Sequence, residues 1–511
     1  MTSNLLHMER EMSASRETTS APTPFSVIDV GSNSVRLVVF EGLICNALPI
    51  FNERSLCGLG KGISDDNCMR RKAMDNALKS IDRFVHLSKE MGAGHPRIVA
   101  TAAVRNTANG QELVDEVAAR TGVPVEVISG REEARLSSLG VLAAMPDADG
   151  FMGDMGGGSL ELVDLAKGKI GMGITLPLGA LSLNNRGDES NAERIKRIDR
   201  ELGKVDWLDR LQGRTFYAVG GNWRSLAKLH QAQTKYPLRI IHHYEMSCSD
   251  AEGLANIIAR LSTESVDRLK GVTSRRRQSL PASSLVLARL LKLGKPANVI
   301  FSGVGLREGV LSDSLSEVER RHDPLIEMSI RLGGRETRYS GMGFELEKWM
   351  RGLFAGETRT ESRIRTAAAL LSDTAWRTHP DYRAEAAFKR VLYAPLSGIS
   401  HMERAMISLA VYVRYAGDVD NDYINVARKL ISDDEFHWVR KLGLALRLGL
   451  TLSGGTPGVL SRSQLDHQKG PVVLTLPSGD RCFLGQAVNK RLKALGNMLD
   501  RSWDIVVEEQ D

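Results

Sequence analysis

Apolar residues fall in short blocks through the first part of the chain and at helical spacing later, and the change of rhythm divides the sequence. Residues 25–30 and 35–40 are mostly apolar on either side of Gly31-Ser32-Asn33-Ser34, which predicts a hairpin that 47–54 extends into a sheet. Gly58-Leu59-Gly60-Lys61-Gly62 reads as a loop. Met69, Ala73, Ala77, Ile81, Phe84 and Val85 recur at helical spacing and predict a helix over 66–91. Strands are expected at 97–101 and 124–128, with a helix over 112–121 between them. An apolar run ending at Asp154, three glycines and then Leu160-Glu161-Leu162-Val163 predict a second hairpin. Residues 184–203 are polar and charged. Strands are expected again at 214–219 and 298–302, each followed by glycines that open a helix. From about Arg321 helices take over, at 344–354, 361–376, 384–393, 401–415 and 433–450. A linker is expected at 453–458, and 472–511 reads as strand, turn, strand, helix, strand. The expected fold class is α/β.

The two hairpins repeat one grammar. Asp154, Gly156, Ser159, Leu162 and Val163 match Asp29, Gly31, Ser34, Leu37 and Val38, each pair 125 positions apart. A repeat of domain-sized period predicts two similar lobes facing one cleft, against the plainer reading of two unrelated glycine turns. Glycine lacks Cβ, so its amide approaches an anion closely, and a phosphate suits the turns Gly31–Ser34 and Gly156–Ser159. An Asp at a strand end is placed to hold a hard cation through oxygen.

Ser129 with Glu132 three positions later fits a capping box opening a helix, which gives Glu132 a structural task. Glu133 then points elsewhere in the first turn, either into the cleft or simply toward the positive helix end. Gly220-Gly221-Asn222-Trp223 and Gly303-Val304-Gly305-Leu306 put glycines and helix amides at strand ends, where anions bind. His242-His243 reads as a structural pair in an apolar setting. Arg275-Arg276-Arg277 reads either as a polyanion contact or as a solvated basic loop.

The chain has 511 residues, room for about three domains. No apolar run approaches the ~20 residues of a membrane span, and 1–24 carries no apolar core, so it reads as a disordered tail rather than a signal. Five scattered cysteines without a CxxC motif predict reduced thiols and a cytoplasmic setting. A net charge of +6 favours anionic partners without choosing among them.

Together, Asp29-Val30-Gly31-Ser32-Asn33-Ser34, Ala100-Thr101-Ala102-Ala103-Val104-Arg105, Ser129-Gly130-Arg131-Glu132-Glu133-Ala134-Arg135, Asp154-Met155-Gly156-Gly157-Gly158-Ser159 and Ser302-Gly303-Val304-Gly305-Leu306-Arg307-Glu308-Gly309 resemble the exopolyphosphatase and guanosine pentaphosphate phosphatase (Ppx/GppA) family, within the actin-like and sugar-kinase superfamily. The resemblance spans about 25–311. It implies two ribonuclease-H-like, actin-like lobes (25–145 and 146–320) around a cleft, a mostly helical HD-like domain (321–450), and a linker with a small α/β cap (451–511). It implies Glu133 as catalytic base, Asp154 and Asp29 as metal residues for Mg²⁺, and Arg105 near the substrate phosphates. The implied reaction is hydrolysis of a terminal phosphoanhydride of inorganic polyphosphate, with conversion of pppGpp to ppGpp as the alternative. A superfamily kinase and a non-catalytic alarmone sensor are the readings from other classes. A homodimer is expected, and neither a membrane nor nucleic acid as partner. The chain departs from the family at Met155, at the bulky Trp223 and at Ser372-Asp373, where a metal-binding His-Asp pair is absent, so no second metal site is expected.

Overall fold

The computed structural model describes residues 22–63, 67–183, 189–269, 271–417, 421–467 and 470–508. The expected tail lies outside these apart from residues 22–24. The chain forms two compact units that divide between Ser129 and Gly130.

The first unit holds a five-stranded sheet. Its strands are β1 (Phe25–Val30), β2 (Val35–Phe40), β3 (Pro49–Ser55), β4 (Arg97–Ala100) and β5 (Val125–Val127), in the order β3-β2-β1-β4-β5. β1 pairs antiparallel with β2 and parallel with β4. The apolar stripe read for 66–91 becomes the helix Arg71–Glu90, which buries Ala73, Met74, Ala77, Leu78, Ile81, Phe84 and Val85 in one cluster with the sheet residues Ile28, Val30, Leu37 and Ile98.

The second unit opens with the helix Gly130–Ala144 and builds a six-stranded sheet. Its strands are β6 (Gly150–Met155), β7 (Leu160–Ala166), β8 (Lys169–Leu176), β9 (Thr215–Val219), β10 (Tyr244–Ser247) and β11 (Asn298–Phe301), in the order β10-β11-β9-β6-β7-β8. Apart from the edge strand β10, this repeats the order of the first sheet: a three-stranded antiparallel meander, then parallel strands beyond its first member. The polar segment 184–203 contains an unforeseen helix, Asn191–Leu202. It starts at a capping box between Ser190 and Glu193, and it buries Ile198 and Leu202. A polar composition concealed it because only a narrow stripe meets the core.

Beyond Arg321 the expected helices appear as Met342–Met350, Arg359–Leu371, Arg383–Leu392, His401–Ala416 and Asp433–Leu452. An earlier helix, Pro324–Glu336, joins them. Ser400 and Ser432 cap two of these helices through complete capping boxes. The end of the chain is a three-stranded sheet, β12 (Gln464–Asp466), β13 (Val472–Pro477) and β14 (Trp503–Glu508), with the helix Gln486–Met498. The strand expected just after the 477–480 turn is not formed. Ser478–Phe483 is 3-10 helix instead, and β12 supplies the third strand. None of the described helices is long and apolar enough to cross a membrane.

Candidate active site

The two glycine hairpins close in the same way. Gly31 N donates to Ser34 O at 3.1 Å, and Gly156 N donates to Ser159 O at 3.0 Å. Each turn is then pinned from behind by a later loop. Gly60 N and Gly58 N donate to Ser32 O and Asn33 O in the first. Ala180 N and Leu181 N donate to Gly156 O and Gly157 O in the second, and Ser182 Oγ donates to Gly158 O at 2.7 Å. The approach is close enough that a Cβ on Gly179 would stand 2.2 Å from the carbonyl carbon of Gly158.

The copies differ across the ladder. Asp29 lies opposite Arg36, whereas Asp154 lies opposite Glu161. Residues directly opposite in an antiparallel pair share a face, so the second hairpin sets two carboxyl groups side by side. Glu161 is 1% exposed. The sequence reading overlooked it, although its place in the repeat, aligned with Arg36, was available.

Of the expected residues, Asp29, Gly31, Ser32, Asn33, Ser34 and Arg105 belong to the first unit. There Ser34 Oγ accepts from Arg54 Nε at 2.8 Å, and Arg105 donates to Ile128 O at 2.7 Å from the helical turn Ala102–Arg105. Glu133, Asp154, Gly156, Gly157, Gly158 and Ser159 belong to the second, and the structure brings their elements together. Ser137 Oγ donates to Asp154 Oδ2 at 2.7 Å. Ser137 stands four residues beyond Glu133, so both project from one face of the helix Gly130–Ala144. Glu133 is buried, at 9% exposure. Its neighbour Glu132 is half-exposed and takes Arg135 on both oxygens, at 2.8 and 2.6 Å. Arg135 also donates to Asp313 at 2.7 Å, and Glu132 and then Asp313 raise its pKa. Glu132 was expected to turn back to a cap at Ser129; the described bonds of its carboxylate are to Arg135.

The helix Leu306–Asp313 lies against the helix of Glu133 with almost no side chain between them. A Cβ on Gly309 would stand 1.8 Å from Leu136 O, and one on Gly140 would stand 2.1 Å from Gly305 O. This contact draws the loop 303–305 toward the carboxylate: a Cβ on Gly305 would stand 3.7 Å from Asp154 Oδ2. The Gly305 amide itself donates to Glu308 at 2.8 Å.

Arg224 enters from the helix Gly221–Gln233, which follows β9. It donates to Gly303 O at 2.8 Å and to Gly220 O at 3.3 Å. Burial, then Arg307 and Arg276, push its pKa down to about 10, against the opposing pull of Glu308 and Asp154. Arg276, one of the three arginines read as either contact or loop, lies on a helical turn with its guanidinium packed against Gly221 and bonded to Ser225 at 3.2 Å. Arg224 therefore feels two other guanidinium groups and, among carboxylates, Glu308 and Asp154. The bulk of Trp223 does not obstruct this turn. Its ring is fully buried, set edge-on to Phe216, and its Nε1 donates to Ser283 O at 2.9 Å.

His242 and His401 hold this region to the C-terminal helices. The Gly303 amide donates to His242 Nδ1 at 3.2 Å, His401 Nε2 donates to His242 O at 3.1 Å, and Tyr236 OH donates to His401 Nδ1 at 3.0 Å. Both rings are used as neutral bases, and burial pushes their pKa values down to about 3 and about 4. His242 is structural, as its setting implied.

The donors beside Gly156–Ser159 suit a hard divalent cation. Carboxylate oxygens are the ligands such ions prefer, and like charges set opposite on one face are unfavourable unless something positive lies between them.

The profile of the Ppx/GppA phosphatase family matches residues 27–318, more than half the chain. The chain belongs to the Ppx/GppA phosphatase family. A second profile, that of the exopolyphosphatase C-terminal region, matches residues 342–506. An uncharacterised protein of Streptomyces coelicolor is 30% identical over 320 residues, covering 58% of this chain and 94% of its own. Exopolyphosphatase 1 of Mycobacterium tuberculosis is 28% identical over 318 residues, covering 59% of this chain and 91% of its own. The crystal structure of an exopolyphosphatase from Cytophaga hutchinsonii aligns with a TM-score of 0.52 at 26% identity, covering 57% of this chain and 99% of that one.

Proposed function

We propose that this protein is an exopolyphosphatase, which releases terminal phosphate from inorganic polyphosphate by attack of water on phosphorus. The observation that carries the reading is the bond from Ser137 to Asp154, which fixes the helix of Glu133 against the strand end that precedes the glycine turn. Glu133 takes the proton of the attacking water on its carboxylate, a role worth ~10²–10⁴-fold. The Gly31 and Gly156 amides shape their turns, which leaves the amides of Ser32 to Ser34 and Gly157 to Ser159 to meet phosphate oxygens. Arg224, Arg276 and Arg307 favour a chain of phosphates over a single one, and Arg105 clamps a neighbouring phosphate from the first unit. Asp154, with Glu161 opposite it on the ladder, would hold Mg²⁺, which when bound supplies neutralising charge to the transferring phosphoryl group. The leaving polyphosphate is stable as an anion and needs no strong general acid.

The shared strand order and matching turns support reading 25–145 and 146–320 as two ribonuclease-H-like lobes, with the helix Gly130–Ala144 belonging to the second unit. In the same reading 321–450 is an HD-like domain and 451–511 a linker and cap. A homodimer in the cytoplasm belongs to this proposal, and the five unbridged cysteines fit a reducing compartment.

Phosphate release from long-chain polyphosphate and from pppGpp, each with and without Mg²⁺, tests the assignment. Turnover of polyphosphate that requires the metal and is lost in Glu133→Gln is expected. Near-normal release by that variant, or a preference for pppGpp, overturns it.

A further inference from the structure

A second cationic cavity lies in the C-terminal helices and shares no residue with the site around Asp154. It measures 520 Å³, within the ~300–1,000 Å³ typical of small-molecule pockets. Four arginines line it: Arg383, Arg414, Arg447 and Arg491. They come from the helices Arg383–Leu392, His401–Ala416, Asp433–Leu452 and Gln486–Met498, so four helices each contribute one positive charge.

Among the described residues this charge is poorly answered. Arg414 gives Nη2 to Asp373 at 2.8 Å, but its buried Nε has no hydrogen-bond partner, and neither does the buried Nε of Arg491. Arg447 reaches only a carbonyl, that of Tyr415 at 2.7 Å. Burial, then Arg491 and Arg414, push the Arg447 pKa down to about 10. Asp373 is shared between Arg338 and Arg414, and the lining Asp381 is 82% exposed and paired with His379. Guanidinium groups gathered this closely in a half-enclosed space repel one another, and a multiply charged anion removes the repulsion while filling the unused donors.

The remaining wall is aromatic and aliphatic. Tyr412, Tyr415 and Tyr423 line the cavity together with Leu450. Arg414 lies over the Tyr415 ring at 3.7 Å, and the rings of Tyr412 and Tyr423 meet edge to face at 5.7 Å. An inorganic anion leaves these faces wet, whereas a planar ring covers them.

We propose that this cavity binds a nucleoside polyphosphate, its phosphates on Arg414, Arg447 and Arg491 and its base against the tyrosines. The site would place a nucleotide-responsive element on the same chain as the hydrolase.

Calorimetric titration of full-length Asp154→Asn protein with ATP, GTP and inorganic tripolyphosphate tests this, since the background substitution silences turnover. Saturable nucleotide binding is expected, weakened about tenfold or more by Arg447→Gln or Arg491→Gln, the loss of one charge-assisted bond. Tripolyphosphate should bind this site about tenfold more weakly than the nucleotides. Tyr423→Leu, which keeps the charge, should weaken nucleotides and leave tripolyphosphate unchanged. Melting curves of each variant identify any that fail to fold, and Arg447→Lys, which keeps the charge but not the fork, then replaces the glutamine variant. Absence of nucleotide binding, nucleotide binding indifferent to Arg447, Arg491 and Tyr423, or a component of tripolyphosphate binding that is lost in Arg447→Gln and is as tight as that of nucleotide overturns the proposal.

Discussion

Ser137 gives its hydroxyl proton to Asp154 at 2.7 Å, one helical turn beyond Glu133. One bond thus sets both the direction of the carboxylate proposed to hold Mg²⁺ and its distance from the helix that carries Glu133. Ser137→Ala should keep the fold and lower Mg²⁺ affinity or turnover about 10–100-fold, the usual effect of removing a group that orients a ligand. Half-saturation by Mg²⁺ in a phosphate-release assay reads it. An unchanged titration detaches Ser137 from the site.

Arg224 spans two loops through carbonyls, and only the forked guanidinium can do so. Arg224→Lys should therefore behave much like Arg224→Gln. Both should raise KM for polyphosphate on the order of tenfold, with a smaller change in kcat. Steady-state kinetics over a range of chain lengths checks this. A normal KM for the lysine variant contradicts it.

Acid should loosen the junction at His242 and His401. Their folded pKa values lie below the ordinary histidine value of about 6.5, so the unfolded chain binds protons first as the pH falls. The stability they contribute is complete above about pH 6.5 and is lost on the way down to about pH 4 at His401 and about pH 3 at His242. The loss amounts to a few kcal/mol, on the order of 1.4 kcal/mol per pKa unit. His401→Gln preserves a donor for His242 O and an acceptor for Tyr236, and it should flatten that part of a Tm-against-pH curve. A curve as steep as that of the parent rules the junction out.

Gly309→Ala should cost roughly 1–3 kcal/mol and lower activity with it, because the new methyl meets the Leu136 carbonyl. Gly253→Ala is the control. It is exposed on the helix Cys248–Ala259, its Cβ meets nothing within 4 Å, and alanine there should gain about 0.5–1 kcal/mol. Urea unfolding of both variants decides it.

Much of this was legible along the chain. The hairpins, the acid before each glycine turn, the buried helix 71–90 and the difference between Glu132 and Glu133 all follow from local spacing. Residues that matter through distant partners were not legible. Ser137 looks like any helical serine until Asp154 stands beside it, and Arg224 like any surface arginine until the loop 303–305 folds over it. Arg276 was visible only as part of a basic run, because no local pattern says that Gly221 leaves room for its guanidinium. The missed helix 191–202 and the absent strand after 480 have the opposite cause, since there a narrow apolar stripe and a short turn outweighed composition.

The opposed pairs Asp29–Arg36 and Asp154–Glu161 make the duplication unequal. One copy faces its acid with a guanidinium, while the other sets two carboxyl groups opposite each other. Backbone repetition is therefore no guide to charge, since the same turn carries a pair of opposite sign in one unit and a doubly acidic pair in the other.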